Sequence, residues 1–449
     1  MPARIPEVTR AVIAAAGPGD LVVARAPGRV NLIGEHTDYN GLPVLPVAID
    51  RAVWLAARRR QDGIVEATNL DSRFERRRFA WQPTIAPSPA GDWDNYLKAA
   101  IQCAAKRLPA GRAGGADLTV ASDLPAAAGL SSSSALVVAT TLAAFAAHEL
   151  PYDSYALAEE LATAERYVGV LSGGMDQAVI LLADAGTALH LDFFPLRARP
   201  IPIPGDCAIV VADSLVRAEK SAGARTGYNR RVVECRLACR LIGALRGAPL
   251  DRLGDLAADG LHTALAEHAD ALARRVPDSA LSLPEIADMI GVAVADLQSS
   301  LAGDDGGPLD LGGDGGFRPV ARARHVLREA DRVAATVAAF EDGDLPRVGR
   351  LMTASHQSCR DDYEVSVGDV DALVAIIDEA GAFGARMTGA GFGGAVVALA
   401  PPARTPRILA ALDARFYRPR LAGADPSRHR FVFRPAAGAS VTPAATPSR

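Results

Sequence analysis

The sequence predicts an α+β fold in two domains, on three observations. Strand-like apolar runs and helical patterns mix along the chain, without the regular strand–helix–strand alternation of a doubly wound parallel sheet. A proline-rich break, PIPIPG, falls around 200–206 and separates a strand-rich half from a helix-rich one. The chain has 449 residues and is 49% hydrophobic, enough to bury two cores. Domains are therefore expected at 1–205 and 206–434, with 435–449 as a disordered tail.

The elements follow in order. Residues 21–60 read as strands separated by turn signals, with Asn40-Gly41 marking a hairpin between apolar runs. Residues 93–107, WDNYLKAAIQCAAKR, carry the spacing of an amphipathic helix. ADLTVASDLP reads as a strand ending at Pro125, and AAAGLSSSSALVVATTLAAFAAHEL as a small-residue loop entering a helix. A helix is expected over 155–169 and paired strands over 178–193. After the break, CAIVVADS is a buried strand, and helical patterns occupy 228–246, 255–275, 320–341, 345–359 and 369–381. The segment 302–316 is rich in Gly and Asp and reads as a surface loop. ARMTGAGFGGAVVALA is read as a glycine-rich turn that follows a helix.

Composition narrows the function. The net charge is −4, so no general basic field attracts nucleic acid or an anionic membrane. The most apolar segment, ALVVATTLAAFAA, is too short to span a bilayer. The N-terminal stretch lacks the order of regions of a signal peptide, and a reducing, cytoplasmic setting is expected. Of the five cysteines, Cys235 and Cys239 lie four apart in a helical pattern. With no further Cys or His nearby they read as buried side chains, not as metal ligands.

Three motifs carry chemistry. PAAAGLSSSSAL places a tight turn at Gly129 and four serines, Ser131 to Ser134, at a helix start. One serine suffices as a cap. A helix start binds phosphate through its N–H groups and dipole, and hydroxyls add hydrogen bonds or a Mg²⁺ ligand. The Gly-x4-Gly-Lys-Ser/Thr phosphate loop is absent. In AERYVGVLSGGMDQAV, Asp176 follows Gly173 and Gly174 in an apolar setting. It can orient a substrate hydroxyl and accept its proton, while Glu165 offers a hard oxygen to Mg²⁺. MTGAGFGGA has the glycine density of a dinucleotide fingerprint but neither its spacing nor its context. Upstream, APGRVNLIGEHTDYNG gathers Arg29, Glu35, His36 and Asp38 beside an apolar strand.

These motifs, in this order, resemble the GHMP kinase superfamily, and GRVNLIGEHTDYNG is similar to the signature of its galactokinase branch. WDNYL, YNRRVVEC, SHQSCRDDYEVS and RMTGAGFGG extend the resemblance from about Leu21 to Ala436. It implies an N-terminal domain like domain 2 of ribosomal protein S5 and a ferredoxin-like C-terminal domain. It also implies Mg²⁺-dependent phosphorylation of a sugar C1 hydroxyl by ATP, in a monomer. Galactose ranks before N-acetylgalactosamine, and a non-catalytic sugar and ATP sensor comes last because GLSSSSAL is intact. Carried over by position, Asp176 is the base and Arg29 faces the phosphoryl. Glu35, His36, Thr37, Asp38, Gly173 and Tyr228 hold the sugar. Ala127, Ala128, Gly129, Leu130, Ser131, Ser132 and Ser133 cradle ATP, with Ser133 and Glu165 on Mg²⁺. Asp213 departs from the pattern, standing where the relatives usually carry asparagine.

Overall fold

The computed structural model describes residues 7–89, 91–125, 129–164, 167, 173–217, 222–257, 264–301 and 315–444. In the first half, β1 (Val22–Asn31), β2 (Pro46–Arg59), β3 (Ile64–Asn69), β4 (Arg77–Ala80) and β5 (Ala116–Ser122) form one sheet in the order 1-2-5-3-4. Only β3 and β5 run parallel; the other pairs are antiparallel. Helices Asp94–Arg107 and Ser132–His148 cover this sheet, their apolar residues joining one core with Ala24, Leu55 and Val120. A separate hairpin pairs β6 (Thr187–Asp192) with β7 (Arg197–Pro202).

The second half is built on β8 (Ala208–Asp213), β9 (Gly384–Thr388), β10 (Ala395–Ala400) and β11 (Arg430–Phe433). Their order, 11-8-10-9 with every pair antiparallel, is the ferredoxin-like arrangement. Both faces of this sheet are buried, which explains the unbroken apolar runs AIVVA and AVVALA. Ile209, Val211, Ala395, Val397 and Leu399 face the core of the first half. Val210, Ala212, Val396, Ala398 and Ala400 face a second core, made with helices Ala222–Arg246, Pro319–Glu341 and Gly368–Glu379. The two halves thus share packing through one two-faced sheet.

Several expectations are corrected. Residues 435–444 are ordered: β12 (Ser440–Pro443) pairs antiparallel with Val22–Arg25 and closes the edge of the first sheet. The backbone N–H groups of Gly438 and Ala439 reach the carbonyls of Ala183 and Ile180, so a weakly apolar tail is held by main-chain bonds. Residues 445–449 lie outside the described residues. The start of the 178–193 span is helical: Met175–Leu182 forms a helix after Gly174, which sits at φ 101°. Its short apolar run has no periodicity that separates strand from helix. Asn40-Gly41 makes no two-residue hairpin; Asp38–Asn40 is a 3₁₀ turn closed by Gly41 at φ 74°. The glycine-rich turn follows strand β9, not a helix, and joins it to β10. The 255–275 pattern splits into a 3₁₀ turn at Leu253–Ala257 and a helix at Leu265–Ala273. Most of the Gly/Asp-rich loop, 302–314, is outside the described residues.

Candidate active site

Arg29 owes its position to a bulge. The register of β1 against β2 shifts between Pro27 and Arg29, at a Pro-Gly pair that a regular ladder would not favour. Gly28 fits because a Cβ there would lie 2.4 Å from Leu124 Cδ2 and 2.8 Å from the Leu130 carbonyl. The Arg29 side chain is thereby carried into the interior, where it is 6% exposed. Asp176 comes from the first turn of helix Met175–Leu182. The two meet as a fork: Arg29 Nε donates to Asp176 Oδ1 at 2.7 Å and Nη2 to Oδ2 at 3.0 Å. Arg29 Nη1 donates to the Gly129 carbonyl at 2.8 Å, which ties the pair to the serine-rich loop. Burial opposes the arginine's charge, but Asp176, Glu35 and Asp38 more than offset it and hold its pKa above the ordinary value.

The serine-rich loop enters helix Ser132–His148. Ser131 stands at the N-cap position, in a left-handed conformation (φ 56°), yet its side chain does not cap the helix. Its hydroxyl donates to Asp176 Oδ2, and Ser134 Oγ lies 3.3 Å from the same oxygen. Leu130 is buried and contributes its carbonyl, which accepts the Arg29 N–H at 3.2 Å. Gly129 takes φ 72°, and a Cβ there would come within 3.3 Å of Gly394 in the glycine-rich turn. Gly389 of that turn lies against Gly129 in the same way. The structure therefore brings Arg29, Gly129–Ser134, Asp176 and the second glycine loop together. Ser132 and Ser133 occupy the first turn of the helix. Ala127, Ala128 and Glu165 lie outside the described residues.

The signature loop supplies the remaining groups. Glu35 is 2% exposed, and its Oε1 lies 3.4 Å from Arg386 Nη1. The Gly389 N–H donates to the same oxygen and Asn31 Nδ2 to Oε2. Burial raises the Glu35 pKa, with Arg386 the main opposing influence. His36 stands at φ 63°, with Nδ1 3.0 Å from the Tyr39 hydroxyl and its ring 5.5 Å from that of Tyr228. Asp38 is pressed against Gly173, where a Cβ would sit 2.4 Å from the Asp38 Cγ. Burial, reinforced by Asp176 and Glu35, pushes Asp38 up to about 6. Thr37 is fully buried, and its hydroxyl lies within 2.8 Å of the Gly34 carbonyl and 2.7 Å of that of Pro43. It shapes the loop from within.

Ser134, read only as part of the serine run, reaches Asp176, and three further contributors receive no role from the sequence: Thr388, Glu329 and Arg386. Thr388 Oγ1 accepts the Asn31 N–H at 2.7 Å. Glu329 and Arg386 lie roughly three hundred residues or more from the signature loop; Arg386 and Thr388 fall within the RMTGAGFGG stretch, but its glycines draw the reading and neither side chain receives a role. The departure at Asp213 finds a local partner: Asp213 accepts the Leu215 N–H at 2.9 Å and pairs with His429 Nδ1 at 3.1 Å. A cavity of about 570 Å³ lies beside Gly173 and Gly174, walled by Tyr39, Phe193, Arg236 and Arg252, and includes neither Arg29 nor Asp176. No cluster of three or more His, Cys, Asp or Glu side chains suited to a metal occurs among the described residues. No helix among them is long and apolar enough to cross a membrane.

The galactokinase galactose-binding signature matches residues 10–59, the segment that carries Arg29 and the Glu35–Asp38 loop. The GHMP kinase N-terminal domain matches residues 95–184 and the C-terminal domain 336–418. A galactokinase of Chloroflexus aurantiacus is 39% identical over 384 residues, covering 84% of this chain and 83% of that protein. The chain belongs to the galactokinase family. One of Dictyostelium discoideum is 31% identical over 458 residues, covering 93% of this chain and 89% of its own length. Among solved structures, Lactococcus lactis galactokinase complexed with galactose superimposes with a TM-score of 0.71 at 27% identity, over 94% of this chain and 95% of that one. A mevalonate kinase at 16% identity matches with a TM-score of 0.57, over 92% of this chain and 98% of its own, and shares the fold alone. Family membership makes this an α+β GHMP kinase fold and a sugar kinase site.

Proposed function

We propose that the chain transfers the γ-phosphoryl of ATP to the C1 hydroxyl of galactose. The observation that carries this reading is the Arg29–Asp176 fork, set between a serine-rich helix start and the Asp38–Gly173 contact. The geometry suits phosphoryl transfer, which needs positioning and charge neutralisation more than covalent help. Asp176 receives both arms of the Arg29 fork and hydroxyls from the serine loop. So engaged, it orients the sugar hydroxyl and takes its proton late, as the bond to phosphorus forms. Arg29 keeps Asp176 ionised and offers permanent positive charge to the transferring group.

Glu35, His36, Asp38 and Tyr228 surround the sugar. A buried acceptor matched to one hydroxyl is left unpaired by an epimer, which discriminates strongly. The first turn of helix Ser132–His148 and the glycines facing it offer main-chain N–H groups and room for phosphates. Mg²⁺ is ordinarily held by phosphates, water and one or two carboxylates. The Ser133 hydroxyl beside that helix start fits such a shell, with Glu165 as the carboxylate that the resemblance supplies. Bound there, the ion would neutralise phosphate charge. A monomer in the cytoplasm completes the reading.

Asp38 gives this account a pH signature. Its folded pKa of about 6 lies above the unfolded value of 3.8. The folded protein therefore holds this proton more tightly. Stability is lost as pH rises between those values, and the cost is complete above about pH 6, on the order of 2–3 kcal/mol. Asp38→Asn is expected to raise the melting temperature at pH 8 and leave it nearly unchanged at pH 4, while weakening galactose binding. The wild type's KM for galactose is expected to fall as pH rises from 5.5 to 7.5, and that of the variant to stay flat. Denaturation at the two pH values and steady-state kinetics check both.

Comparing kcat/KM for galactose and N-acetylgalactosamine with Mg-ATP tests the substrate. Galactose is expected to lead by at least tenfold. A lead for the N-acetylated sugar would transfer the reading to it, and binding of ATP and galactose without turnover would make the chain a sensor.

A further inference from the structure

Arg386 lies on β9, more than three hundred residues from the signature loop, and is fully buried. Its Nη1 donates to the Asn31 carbonyl at 3.1 Å and lies 3.4 Å from Glu35 Oε1. Its Nε donates to Ser355 Oγ at 3.1 Å. Glu329, also fully buried on helix Pro319–Glu341, stands 4.0 Å from the Arg386 guanidinium. It accepts the Gly34 N–H at 2.9 Å, the Ser355 hydroxyl, and Arg332 Nε at 2.6 Å. The second half therefore grips the signature loop at Asn31, Gly34 and Glu35.

This grip bears on how Glu35 meets the sugar. A carboxylate has about four acceptor positions. Gly389 donates to Oε1, the Arg386 guanidinium stands 3.4 Å from the same oxygen as its ion-pair partner, and Asn31 donates to Oε2. One position on Oε2 is left, enough for a single sugar hydroxyl. A side chain bound at one oxygen and free at one lone pair of the other cannot rotate to suit a misplaced hydroxyl. Buried charge of this kind holds only while it is paired and hydrogen-bonded. Arg386 supplies the charge, and its planar fork supplies the direction, which an ammonium cannot reproduce.

We propose that Arg386 is a positioning residue for sugar recognition, setting the Glu35 carboxylate and the Asn31–Glu35 backbone while touching neither sugar nor ATP. The proposal rests on the galactose reading above. It separates the two substrates: Arg386 acts directly on the sugar side of the site, and reaches the phosphate side, built on Arg29, Gly129 and the serine helix, only indirectly through Gly389.

The test compares wild type, Arg386→Gln and Arg386→Lys as full-length purified proteins, with KM measured for galactose and for ATP. Arg386→Gln is expected to raise the galactose KM at least tenfold and to change the ATP KM less than twofold. Arg386→Lys is expected to recover part of the loss, to within about threefold to tenfold of wild type. Equal increases in the two KM values, or a galactose KM within twofold of wild type in both variants, would overturn the proposal. Should Arg386→Gln not fold, the lysine variant decides alone: a galactose-selective increase of threefold or more supports the role, and its absence refutes it. A wild type that turns over no galactose would instead refute the functional reading, and the two failures stay distinct.

Discussion

Asp176→Asn is expected to abolish turnover, with kcat at least a thousandfold below wild type, while the fold and ATP binding persist. The asparagine keeps the shape of the side chain but loses its charge. Its amide NH₂ must replace one of two oxygens that each accept an arm of the Arg29 fork, so a donor meets a donor in either orientation, while the serine hydroxyls can turn to accept. It can neither take the sugar proton nor hold Arg29 in line with the transferring phosphoryl. A thousandfold loss corresponds to about 4 kcal/mol of transition-state stabilisation, in the range found when one preorganised electrostatic contact is removed. Glu35 and Asp38 still face the Arg29 charge, which limits the damage to stability. Circular dichroism, ATP titration and kcat are the measurements. A variant within tenfold of wild type would remove Asp176 from the mechanism.

The largest stability effect is expected at a crossing remote from the chemistry. Gly349 lies in helix Leu345–Asp361, which packs on β9. A Cβ at Gly349 would lie 2.0 Å from the Phe383 carbonyl oxygen and 2.7 Å from the Gly384 nitrogen. A Cβ at Gly384 would meet the Gly349 carbonyl at 2.0 Å in return. Both obstacles are backbone, so no side chain can swing away. Alanine in an open helix is favoured over glycine by about 1 kcal/mol. Here the collision reverses that sign, and Gly349→Ala is expected to cost at least about 3 kcal/mol by forcing helix and strand apart. Denaturant unfolding measures it. A loss below 1 kcal/mol would show that the crossing relaxes freely. Because β9 carries Arg386 and Thr388, a folded Gly349→Ala protein should also bind galactose more weakly.

The sequence discloses the reacting groups better than their supports. Arg29, Glu35, His36 and Asp38 are conspicuous because ionisable side chains crowd beside an apolar strand. Asp176 is conspicuous because it follows two glycines. Their chemistry is local, so their residue types are informative. Ser131 illustrates a limit: a serine at a helix start reads as a cap, and only the fold reveals that Asp176 claims its hydroxyl. Arg386, although it opens the RMTGAGFGG stretch, and Glu329 receive no role from the sequence for a second reason. In a chain with lysine at only three positions, an arginine reads as solvated surface, and Arg386 and Glu329 meet the loop only once the second half has packed against it. The ferredoxin-like order of the second sheet is equally non-local, set by which strands pair across long helical insertions. The tail fails on a third ground: PAAGASVTP has little apolar pattern, and its order comes from an open strand edge on β1 that offers main-chain partners.

Whether the Arg29–Asp176 site directs ATP's γ-phosphoryl to one sugar hydroxyl is decided by the structure of the product. The protein is incubated with Mg-ATP and galactose, and the sugar phosphate is analysed by phosphorus–proton correlated NMR. Stoichiometric ADP and a single species, galactose 1-phosphate, with phosphorus coupled to the anomeric proton, are expected. Phosphate on any other carbon, or ADP released without a phosphorylated sugar, would contradict that transfer.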